Sequence, residues 1–405
     1  MNVILKPGRE KSLLRRHPWI FSGAIHAADE HIPSGSTVDL LSSTKQFLAH
    51  ASYSPNSQIR ARVWTFDDEK VDKGFFQKRI RAAIAVRSPL LLGGGLGVRS
   101  DSYRLIYAES DGIPGLIVDR YGDVLVLQSL TAGSEFWKET FADILIEETG
   151  LTTIYERSDA DVRELEGLGP KVGLLRGHLR SLRPGSGQAF MFPITEHNLK
   201  FNVNLQSGHK TGFYLDQKMN RLRVRELAKD KDVLDCFCYT GGFTVNALAG
   251  GAKSVLSIDS SEDALALARE NIVLNDLPSK KATFLDGDVF QLLRKFRDEN
   301  RSFDMIILDP PKFAPTAAQA ERAARGYKDI NLYAFKLLRP GGLLITFSCS
   351  GGIDAGLFQK IVAGAALDAG VDAQILEHVS QNADHPISLN FPEGAYLKGL
   401  VCLRK

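Results

Sequence analysis

The sequence has few cysteines, no long apolar run and almost no net charge, and each of these shortages excludes a class of protein. Its four cysteines in 405 residues are Cys236, Cys238, Cys349 and Cys402. They are too few for a disulfide framework and lack the paired spacing of a zinc site. No stretch approaches the roughly 18 apolar residues of a membrane helix, and the basic N-terminal segment is unlike a signal peptide. We therefore expect a soluble, cytoplasmic protein without a bound metal.

The length of the chain predicts more than one domain, because a single hydrophobic core stops growing beyond roughly 250–300 residues. Hydrophobic residues make up 44% and charged residues 24%, as in folded soluble proteins. Residues 1–70 consist of short strands and turn signals, and residues 71–190 mix strands with helical periodicity. Residues 191–405 form the third predicted domain, with a lead-in hairpin at about 191–215.

From about Asp230 onward, strands alternate with longer helices, which is the pattern of a doubly wound, mostly parallel α/β sheet. The predicted strands are VLDCF, SVLSID, ATFLDGD, FDMIILDPP, GLLITFSCS, AQILEHV and AYLKGLVCLRK. The predicted helices include AAQAERAARGYKDINLYAFKLL, which begins at residue 317, and one from about Ala355 to Ala369. Open sheets of this kind bind ligands beyond the carboxyl ends of their strands. The residues at those ends are therefore the first candidates for a site.

Acidic side chains end the first three of these strands. Asp235 precedes CYTGGFT, which brings Gly241 to the start of a helix, where backbone N–H groups can meet an anion; a tight turn would need the same glycine. Asp259 lies about 20 residues beyond that loop, where an acid accepts hydrogen bonds from ribose hydroxyls. Asp288 follows the third strand and suits either the amino group of an adenine or the N-cap of the next helix.

The fourth and fifth strands end in more specific patterns. Two prolines after Asp309 stop the strand ladder and hold this acid rigidly at the sheet edge, where it can stabilise charge on a flat ring. The fifth strand ends in Ser348-Cys349-Ser350, which places a thiol at the neighbouring strand end. A buried cysteine is commonly a small apolar residue, but at the ligand edge of a sheet we interpret Cys349 as reactive.

These residues together resemble the class I S-adenosylmethionine-dependent methyltransferases, and in particular the bacterial large-subunit (23S) ribosomal RNA cytosine-C5 methyltransferases with an N-terminal PUA domain. KPGREKSLLRRHPWIFSGAI is similar to the opening of that PUA domain, and TGFYLDQKMNR, DCFCYTGGF, DPPKF, SCS and DHPISLNFPEGAYLKGL are similar to the catalytic motifs. The resemblance covers nearly the whole chain. It implies a Rossmann-like domain with a seven-stranded, mostly parallel sheet, preceded by a small all-β PUA domain and a mixed α+β middle domain.

The resemblance also implies which residues bind S-adenosylmethionine, the cofactor that would leave as S-adenosylhomocysteine. They are Asp235, Phe237, Tyr239, Gly241, Asp259, Asp288, Asp309, Gln217 and Arg221. The early glycines of the general methyltransferase loop are replaced here by Cys236-Phe237-Cys238-Tyr239, a departure that the family shares. No metal is implied.

Catalysis would use Cys349 and Asp309. Cys349 would add to C6 of cytosine and so make C5 nucleophilic, while Asp309 would hydrogen-bond to the N3 and amino edge of the ring. The RNA would contact basic residues at Lys6, Arg9, Lys11, Arg15, Arg16, Lys312 and Lys328, although a charge run by itself is commonly a solvated face. Tyr327 would contact the RNA beside Lys312 and Lys328. Large-subunit ribosomal RNA is the expected partner, and a homodimer is expected from the resemblance.

Three alternatives remain open from the sequence. An RNA methyltransferase acting on an exocyclic guanine nitrogen would also use an acid followed by two prolines but would need no thiol. A non-catalytic RNA-binding factor of ribosome assembly would bind the cofactor without turnover. A nicotinamide dehydrogenase would match Asp259, but the GxGxxG fingerprint of such enzymes is absent.

Overall fold

A computed structural model describes residues 1–92, 100–179, 191–313 and 319–405. The chain divides into two compact units, which we call the N-terminal unit and the C-terminal unit. The N-terminal unit comprises Met1–Asn198, Val203–Leu215 and Ala383–Gly394, and the C-terminal unit comprises Leu199–Asn202, Asp216–Asn382 and Ala395–Lys405. The boundary predicted at residue 190 adjoins a segment outside the described residues, and the division into three domains stays a prediction.

The first part of the N-terminal unit is a sheet of short strands. Its elements are β1 (Asn2–Leu5), α1 (Lys11–Leu14), β2 (Trp19–Phe21), β3 (Ile25–Ala28), β4 (Thr37–Leu41), β5 (Phe47–Tyr53) and β6 (Ile59–Thr65). The strand order is β2-β6-β5-β4-β1-β3. Alternate residues of β1 and β4 are buried, such as Val3 and Leu40. The segment WIFSGAI, predicted as one strand, is split by a 3₁₀ turn at Ser22–Ala24.

The second part of the N-terminal unit packs helices on a second sheet. Its elements are α2 (Lys73–Leu92), β7 (Ser102–Tyr107), β8 (Leu116–Tyr121), β9 (Val124–Ser129), α3 (Ala132–Thr149), β10 (Thr153–Ser158) and β11 (Lys171–Arg176). The strand order is β11-β10-β9-β8-β7. Phe76 of α2 meets Phe141 of α3 with ring centroids 4.9 Å apart. The sequence did not predict β11, an edge strand whose mostly exposed residues show no regular burial.

Two strands, β12 (Met191–Glu196) and β13 (Leu199–Asn204), form a two-stranded sheet and precede the main sheet of the C-terminal unit. The strands of that main sheet are β14 (Asp232–Cys236), β15 (Ser254–Asp259), β16 (Ala282–Asp286), β17 (Phe303–Leu308), β18 (Leu338–Ser348), β19 (Ala373–Ser380) and β20 (Lys398–Arg404). Their order is β16-β15-β14-β17-β18-β20-β19. The first five strands of this sheet, β14–β18, pair in parallel and β20 is antiparallel to both of its neighbours, so the predicted mostly parallel, seven-stranded sheet is confirmed.

Helices flank this sheet and bury its faces. They are α4 (Lys218–Leu227), α5 (Gly242–Ala249), α6 (Glu262–Leu274), α7 (Val289–Asp298), α8 (Ala320–Leu337) and α9 (Ala355–Ala369). Side-chain caps start three of them: Ser261 caps α6, Asp288 caps α7 and Asp354 caps α9. The start predicted for α8, at residue 317, lies outside the described residues. Within the described ranges, no helix is long and apolar enough to cross a membrane.

Candidate active site

The parallel register brings four strand ends to one edge of the sheet. Strand order reverses at β14, which pairs with β15 on one side and with β17 on the other. Asp259 ends β15, Asp309 follows β17 directly, and Cys349 follows β18 directly. Such a reversal point opens a crevice beyond the carboxyl ends of the strands. The C-terminal unit therefore places the predicted acids and the predicted thiol where a doubly wound sheet binds its ligand.

The loop after β14 adopts a left-handed backbone without the usual glycines. Phe237 and Tyr239 have φ angles of +61° and +49°, and Gly241 has +78°. Non-glycine residues in this conformation cost free energy and persist where the surroundings fix them, commonly at functional sites. The loop is fixed by two backbone donors, because Cys238 N donates to Ile258 O at 3.0 Å and Tyr239 N donates to Asp259 Oδ2 at 2.8 Å.

Asp235 lies fully buried under this loop. Its Oδ2 accepts a hydrogen bond of 2.6 Å from Thr244 Oγ1, while its Oδ1 has no hydrogen-bond partner among the described residues. Burial raises the pKa of Asp235 to about 7, against the hydrogen bond from Thr244, and the carboxylates of Asp309 and Asp259 raise it further. This acid therefore titrates near neutral pH beneath the start of α5.

Asp259 and Asp288 both hold backbone amides. Asp259 Oδ1 accepts from Ser261 N at 3.1 Å, in addition to the bond to Tyr239 N. Asp288 is exposed and caps α7, since its Oδ1 accepts from Gln291 N at 2.9 Å. The N-cap role left open for Asp288 is thus observed, and its contact with an adenine stays a prediction.

A chain of amides orients Asp309. Gln217 Nε2 donates to Asp309 Oδ1 at 2.9 Å, and Asn220 Nδ2 donates to Gln217 Oε1 at 2.6 Å and to Ser380 O at 3.1 Å. Gln217, at the N-cap of α4, is buried, and so are Asn220 and Arg221 within that helix. The sequence singled out Gln217 and Arg221 but missed Asn220, whose position three residues after Gln217 in TGFYLDQKMNR is the signal that could have found it.

Cys349 is the cysteine that the site exposes. It is partly exposed, whereas Cys236, Cys238 and Cys402 are buried. Burial raises the pKa of Cys402 to about 12 and holds the pKa values of the Cys236 and Cys238 thiols well above the ordinary range. Those three thiols are therefore unreactive, in line with a packing role.

Ser350 ties the turn after Cys349 to the turn after Asp309. Its Oγ accepts a hydrogen bond of 3.1 Å from Phe313 N and lies 2.9 Å from the hydroxyl of Tyr327. The sequence had suggested Tyr327 as an RNA contact, but this side chain is fully buried and supports Ser350 instead. The second serine of the SCS motif thus fixes the position of the neighbouring thiol.

The basic residues predicted to contact RNA lie in separate places. In the N-terminal unit, the exposed members are Lys6, Arg9, Lys11, Arg15 and Arg16. Arg16 lies over the ring of Phe66, 5.4 Å from its centroid. In the C-terminal unit, Lys312 is exposed beside Asp309, whereas Lys328 forms an ion pair with Asp368 at 2.7 Å on α9.

The strand-end residues fit S-adenosylmethionine. Among the residues that the structure describes, Asp235 Oδ1 is a buried acceptor without a donor. The left-handed loop and the start of α5 direct backbone amides to the same edge. The family model of S-adenosylmethionine-dependent methyltransferases matches residues 185–374, and that of a PUA-like domain matches residues 3–66. Fold and site thus define the class: the chain is an S-adenosylmethionine-dependent methyltransferase with an N-terminal PUA-like domain.

Curated relatives narrow this class to a family. The chain is 50% identical over 405 residues to ribosomal RNA large subunit methyltransferase I of Klebsiella pneumoniae (strain 342), with 99% of this chain and 97% of the relative covered. The relative of the same name from Shewanella amazonensis is 50% identical over 402 residues, with 99% and 98% covered. The chain therefore belongs to the ribosomal RNA large subunit methyltransferase I family.

Solved structures share the fold over the whole chain. An S-adenosylmethionine-dependent methyltransferase from Streptococcus mutans has a TM-score of 0.83 at 20% identity, and a methyltransferase solved in complex with SAH has 0.84 at 21% identity. Each comparison covers 100% of both chains. At these identities the likeness shows the fold alone, and it confirms the predicted fold class.

Proposed function

We propose that the protein methylates C5 of a cytosine in large-subunit (23S) ribosomal RNA, giving 5-methylcytidine through a covalent bond between Cys349 and C6. The observation that carries the proposal is a partly exposed thiol one strand away from a fixed carboxylate. Asp309 and Cys349 directly follow β17 and β18, which pair in parallel. The names of the relatives support a large-subunit ribosomal RNA as the substrate.

Cofactor binding is assigned in the same proposal to the strand-end residues, all of which belong to the C-terminal unit. They are Asp235, Phe237, Tyr239, Gly241, Asp259, Asp288, Asp309, Gln217 and Arg221. Asp259 would accept hydrogen bonds from the ribose hydroxyls and Asp288 one from the adenine amino group. Gln217 and Arg221 would lie near the methionine end of the cofactor. When bound, S-adenosylmethionine supplies an electrophilic methyl group on a sulfonium centre.

The thiol is needed because C5 of cytosine is a poor nucleophile. The Cys349 thiolate adds to C6, so that an S–C6 bond forms and the electrons of the C5–C6 double bond make C5 nucleophilic. The negative charge that builds on N3 would be offset by a proton that the Asp309 carboxyl donates to N3 in a hydrogen bond and takes back when the adduct breaks down. Gln217 holds this carboxyl in place. After C5 has been methylated, loss of the C5 proton to a base and cleavage of the S–C6 bond restore the double bond and the thiolate.

The RNA must present an unstacked base, since C6 of a stacked cytosine is out of reach of the thiol. The exposed basic residues of the N-terminal unit and Lys312 would hold the backbone of such an RNA. Lys328 is assigned the same role, in competition with its ion pair to Asp368. A homodimer stays a prediction from the family resemblance.

The proposal is tested by the product and by its dependence on the thiol. We expect unmodified large-subunit ribosomal RNA incubated with isotopically labelled S-adenosylmethionine to yield labelled 5-methylcytidine, identified by mass spectrometry of the digested RNA. Cys349→Ala should reduce this label by at least about 10³-fold, as expected when a nucleophile is removed.

A second thiol supplies the matched control. Cys402→Ala removes a buried thiol on β20 of the same sheet and should leave the labelling within a few fold of wild type. Label on a guanine, or equal labelling by Cys349→Ala, would replace the covalent mechanism with methylation of an exocyclic nitrogen. Cofactor binding without any labelled nucleoside would favour the non-catalytic assembly factor.

A further inference from the structure

The N-terminal unit contains a cleft of about 420 Å³. Its walls come from β6 and the turn after it, from α2, from the turn after β7 and from residues 388–391, all of which belong to this unit. Sites for small ligands commonly have volumes of roughly 300–1,000 Å³. We call this cavity the N-terminal cleft, and its size suits one nucleotide-sized group.

Arg16 lines the N-terminal cleft in a strained backbone conformation. Its φ angle is +57°, in the left-handed region that non-glycine residues occupy at a cost in free energy and often at functional sites. The conformation is fixed because Arg16 N donates to Leu13 O at 2.7 Å and Asn390 Nδ2, from the opposite wall, donates to Arg16 O. The guanidinium group lies over the ring of Phe66, 5.4 Å from its centroid. Arg16 is exposed and Phe66 is partly exposed, so the two form a flat stack that a ligand can reach.

Arg79 of α2 supplies a second cation to the cleft. Its guanidinium group lies over the ring of Phe75, 4.5 Å from the centroid, and donates a long hydrogen bond of 3.4 Å to Gly112 O. Burial lowers the pKa of Arg79, against the attraction of Glu69 and Asp67. In the described part of the chain, no carboxylate comes close enough to Arg79 to form an ion pair. A partly buried cation without a paired anion favours a ligand that carries negative charge.

A flat stack beside a cation is the combination that binds single-stranded nucleic acid. Bases stack on aromatic rings and on guanidinium planes, and cations contact the phosphates. Trp64 and Phe391, which are almost fully buried, give the cleft an apolar base. Along the chain, Arg16 directly follows Arg15, the last of the other exposed cations of the basic N-terminal segment. The cleft therefore adds a place for a base to a segment that already offers contacts to phosphates.

We propose that the N-terminal cleft binds one unstacked nucleotide of the RNA, other than the cytosine that is methylated. The base extends the stack of Arg16 and Phe66, and Arg79 contacts the phosphate. The inference rests on the proposed function, because it takes the occupant to be the RNA substrate. Exposed cations alone hold only the phosphates of a strand. A stacked base in addition selects single strands over duplexes, without selecting a sequence, since every base can stack.

Binding of the full-length protein to short single strands tests the inference. We would titrate it with a uridine oligomer of about 12 nucleotides, within the range that single-strand-binding sites cover, and with an oligomer of the same length that carries no bases. Phe66→Ala removes the ring of the stack and should weaken binding of the uridine oligomer by at least about fivefold, the effect of losing one base–aromatic contact. It should bind the abasic oligomer as wild type does, because the phosphate contacts are unchanged.

Arg79→Gln tests the phosphate contact. It should weaken binding of both oligomers and lower the slope of log K against log salt concentration by about 0.7, the effect of one phosphate contact on a single strand, whereas Phe66→Ala should leave this slope unchanged. Two matched controls remove residues that do not line the cleft. Arg81→Gln removes an exposed arginine of α2 that pairs with Glu148 at 2.8 Å, and Phe136→Ala removes an exposed phenylalanine of α3. Both controls should bind the two oligomers as wild type does.

Three results would overturn the inference. A folded Phe66→Ala variant could bind the uridine oligomer as wild type does, or it could lose the same factor for the abasic oligomer. Arg81→Gln could lower the salt slope as much as Arg79→Gln does. If Phe66→Ala does not fold, Arg79→Gln decides, since an unchanged salt slope in that variant contradicts the inference as well.

Failure of this inference is distinguishable from failure of the proposed function. If 5-methylcytidine forms and requires Cys349, but Phe66→Ala binds single strands normally, only the assignment of the cleft is wrong. If the labelled product is a guanine derivative, the proposed function is wrong, and the binding of the two oligomers still decides whether the cleft holds a nucleotide.

Discussion

At the scale of single residues, the site depends on side chains that orient the reacting groups as much as on those groups themselves. Gln217 and Asn220 orient Asp309, and Ser350 links the turn that carries the thiol to the turn that follows Asp309. Such supporting contacts matter because small displacements of reacting groups cost large factors in rate. Asp235 differs from these residues, because its carboxyl group is buried and has a pKa near neutral pH.

The pKa of Asp235 makes the stability of the protein depend on pH in a specified direction. Its pKa is about 7 in the folded chain against an ordinary value of 3.8 for aspartate, so between these values the folded chain retains a proton that the unfolded chain has lost. The free energy of unfolding should therefore fall as pH rises from about 4 to about 7. Asp235→Asn removes this titration, and its stability relative to wild type should increase by roughly 2–3 kcal/mol between pH 5 and pH 8.

Chemical denaturation of the cofactor-free protein at pH 5, 6, 7 and 8 measures this difference. The amide nitrogen that Asn introduces adds an offset that is the same at every pH, so the slope carries the prediction. Asp263→Asn, at an exposed position in the first turn of α6, is the matched control and should give a flat difference. A flat difference for Asp235→Asn as well would show that this carboxyl is ionised throughout.

Sequence reasoning at this scale selected the residues that we propose to carry the chemistry, and it missed residues that hold them in place. Asp309 and Cys349 stand out because an acid before two prolines and a thiol at a strand end are unusual. Asn220 does not stand out, because an asparagine is ordinary until its partner is known. That partner, Gln217, is set by the position of both residues at the start of α4, which a single sequence does not reveal.

At the scale of elements, prediction succeeded where periodicity and caps agree. The predicted strand SVLSID coincides with β15, and the helix predicted over Ala355–Ala369 coincides with α9, which starts at an Asp cap and ends at Gly370. Prediction failed at β11, because this strand is stabilised by its pairing with β10 and its own sequence lacks the alternation of apolar and polar residues. The conformation of the loop after β14 could not be predicted either, because Phe237 and Tyr239 adopt positive φ angles that are usual for glycine.

The turn from β14 into α5 depends on the glycine at its last position. Gly241 has φ +78°, and a Cβ there would lie 2.8 Å from the Cβ of Ala268 on α6. Gly241→Ala should therefore cost about 2–3 kcal/mol of unfolding free energy, from backbone strain together with overpacking. It should also weaken binding of S-adenosylhomocysteine, because α5 and its loop must shift away from α6.

Gly370→Ala is the control for the backbone part of this effect. Gly370 ends α9 with φ +71°, and a Cβ there meets nothing within 4 Å. This variant should cost only about 1 kcal/mol and bind S-adenosylhomocysteine as wild type does. Denaturation and titration calorimetry measure both quantities, and equal costs for the two variants would show that the contact with Ala268 is relieved without strain.

At the scale of the whole molecule, the distribution of charge along the chain says more than the net charge. The net charge is only +2, yet the first residues concentrate exposed cations in the PUA-like domain, within the match at residues 3–66. The residues that we propose to bind the cofactor all belong to the C-terminal unit. If the N-terminal cations hold RNA, affinity for RNA and affinity for the cofactor should respond to different substitutions.

A variant with Lys6, Arg9, Lys11 and Arg15 all changed to Gln tests this separation. Arg16 is left in place because it packs over Phe66. Each phosphate contact contributes roughly 0.7–0.9 to the slope of log K against log salt concentration. The slope for binding of a large-subunit ribosomal RNA fragment should therefore fall by up to about 3. Filter binding between 50 and 200 mM salt measures this slope, because affinity that depends on phosphate contacts falls steeply over that range.

The matched control changes four exposed lysines of the C-terminal unit to Gln, namely Lys229, Lys280, Lys336 and Lys360. Both variants lose the same charge and should bind S-adenosylhomocysteine equally, so an equal loss of slope in the two would mean that net charge alone, rather than the N-terminal cations, governs the affinity for RNA.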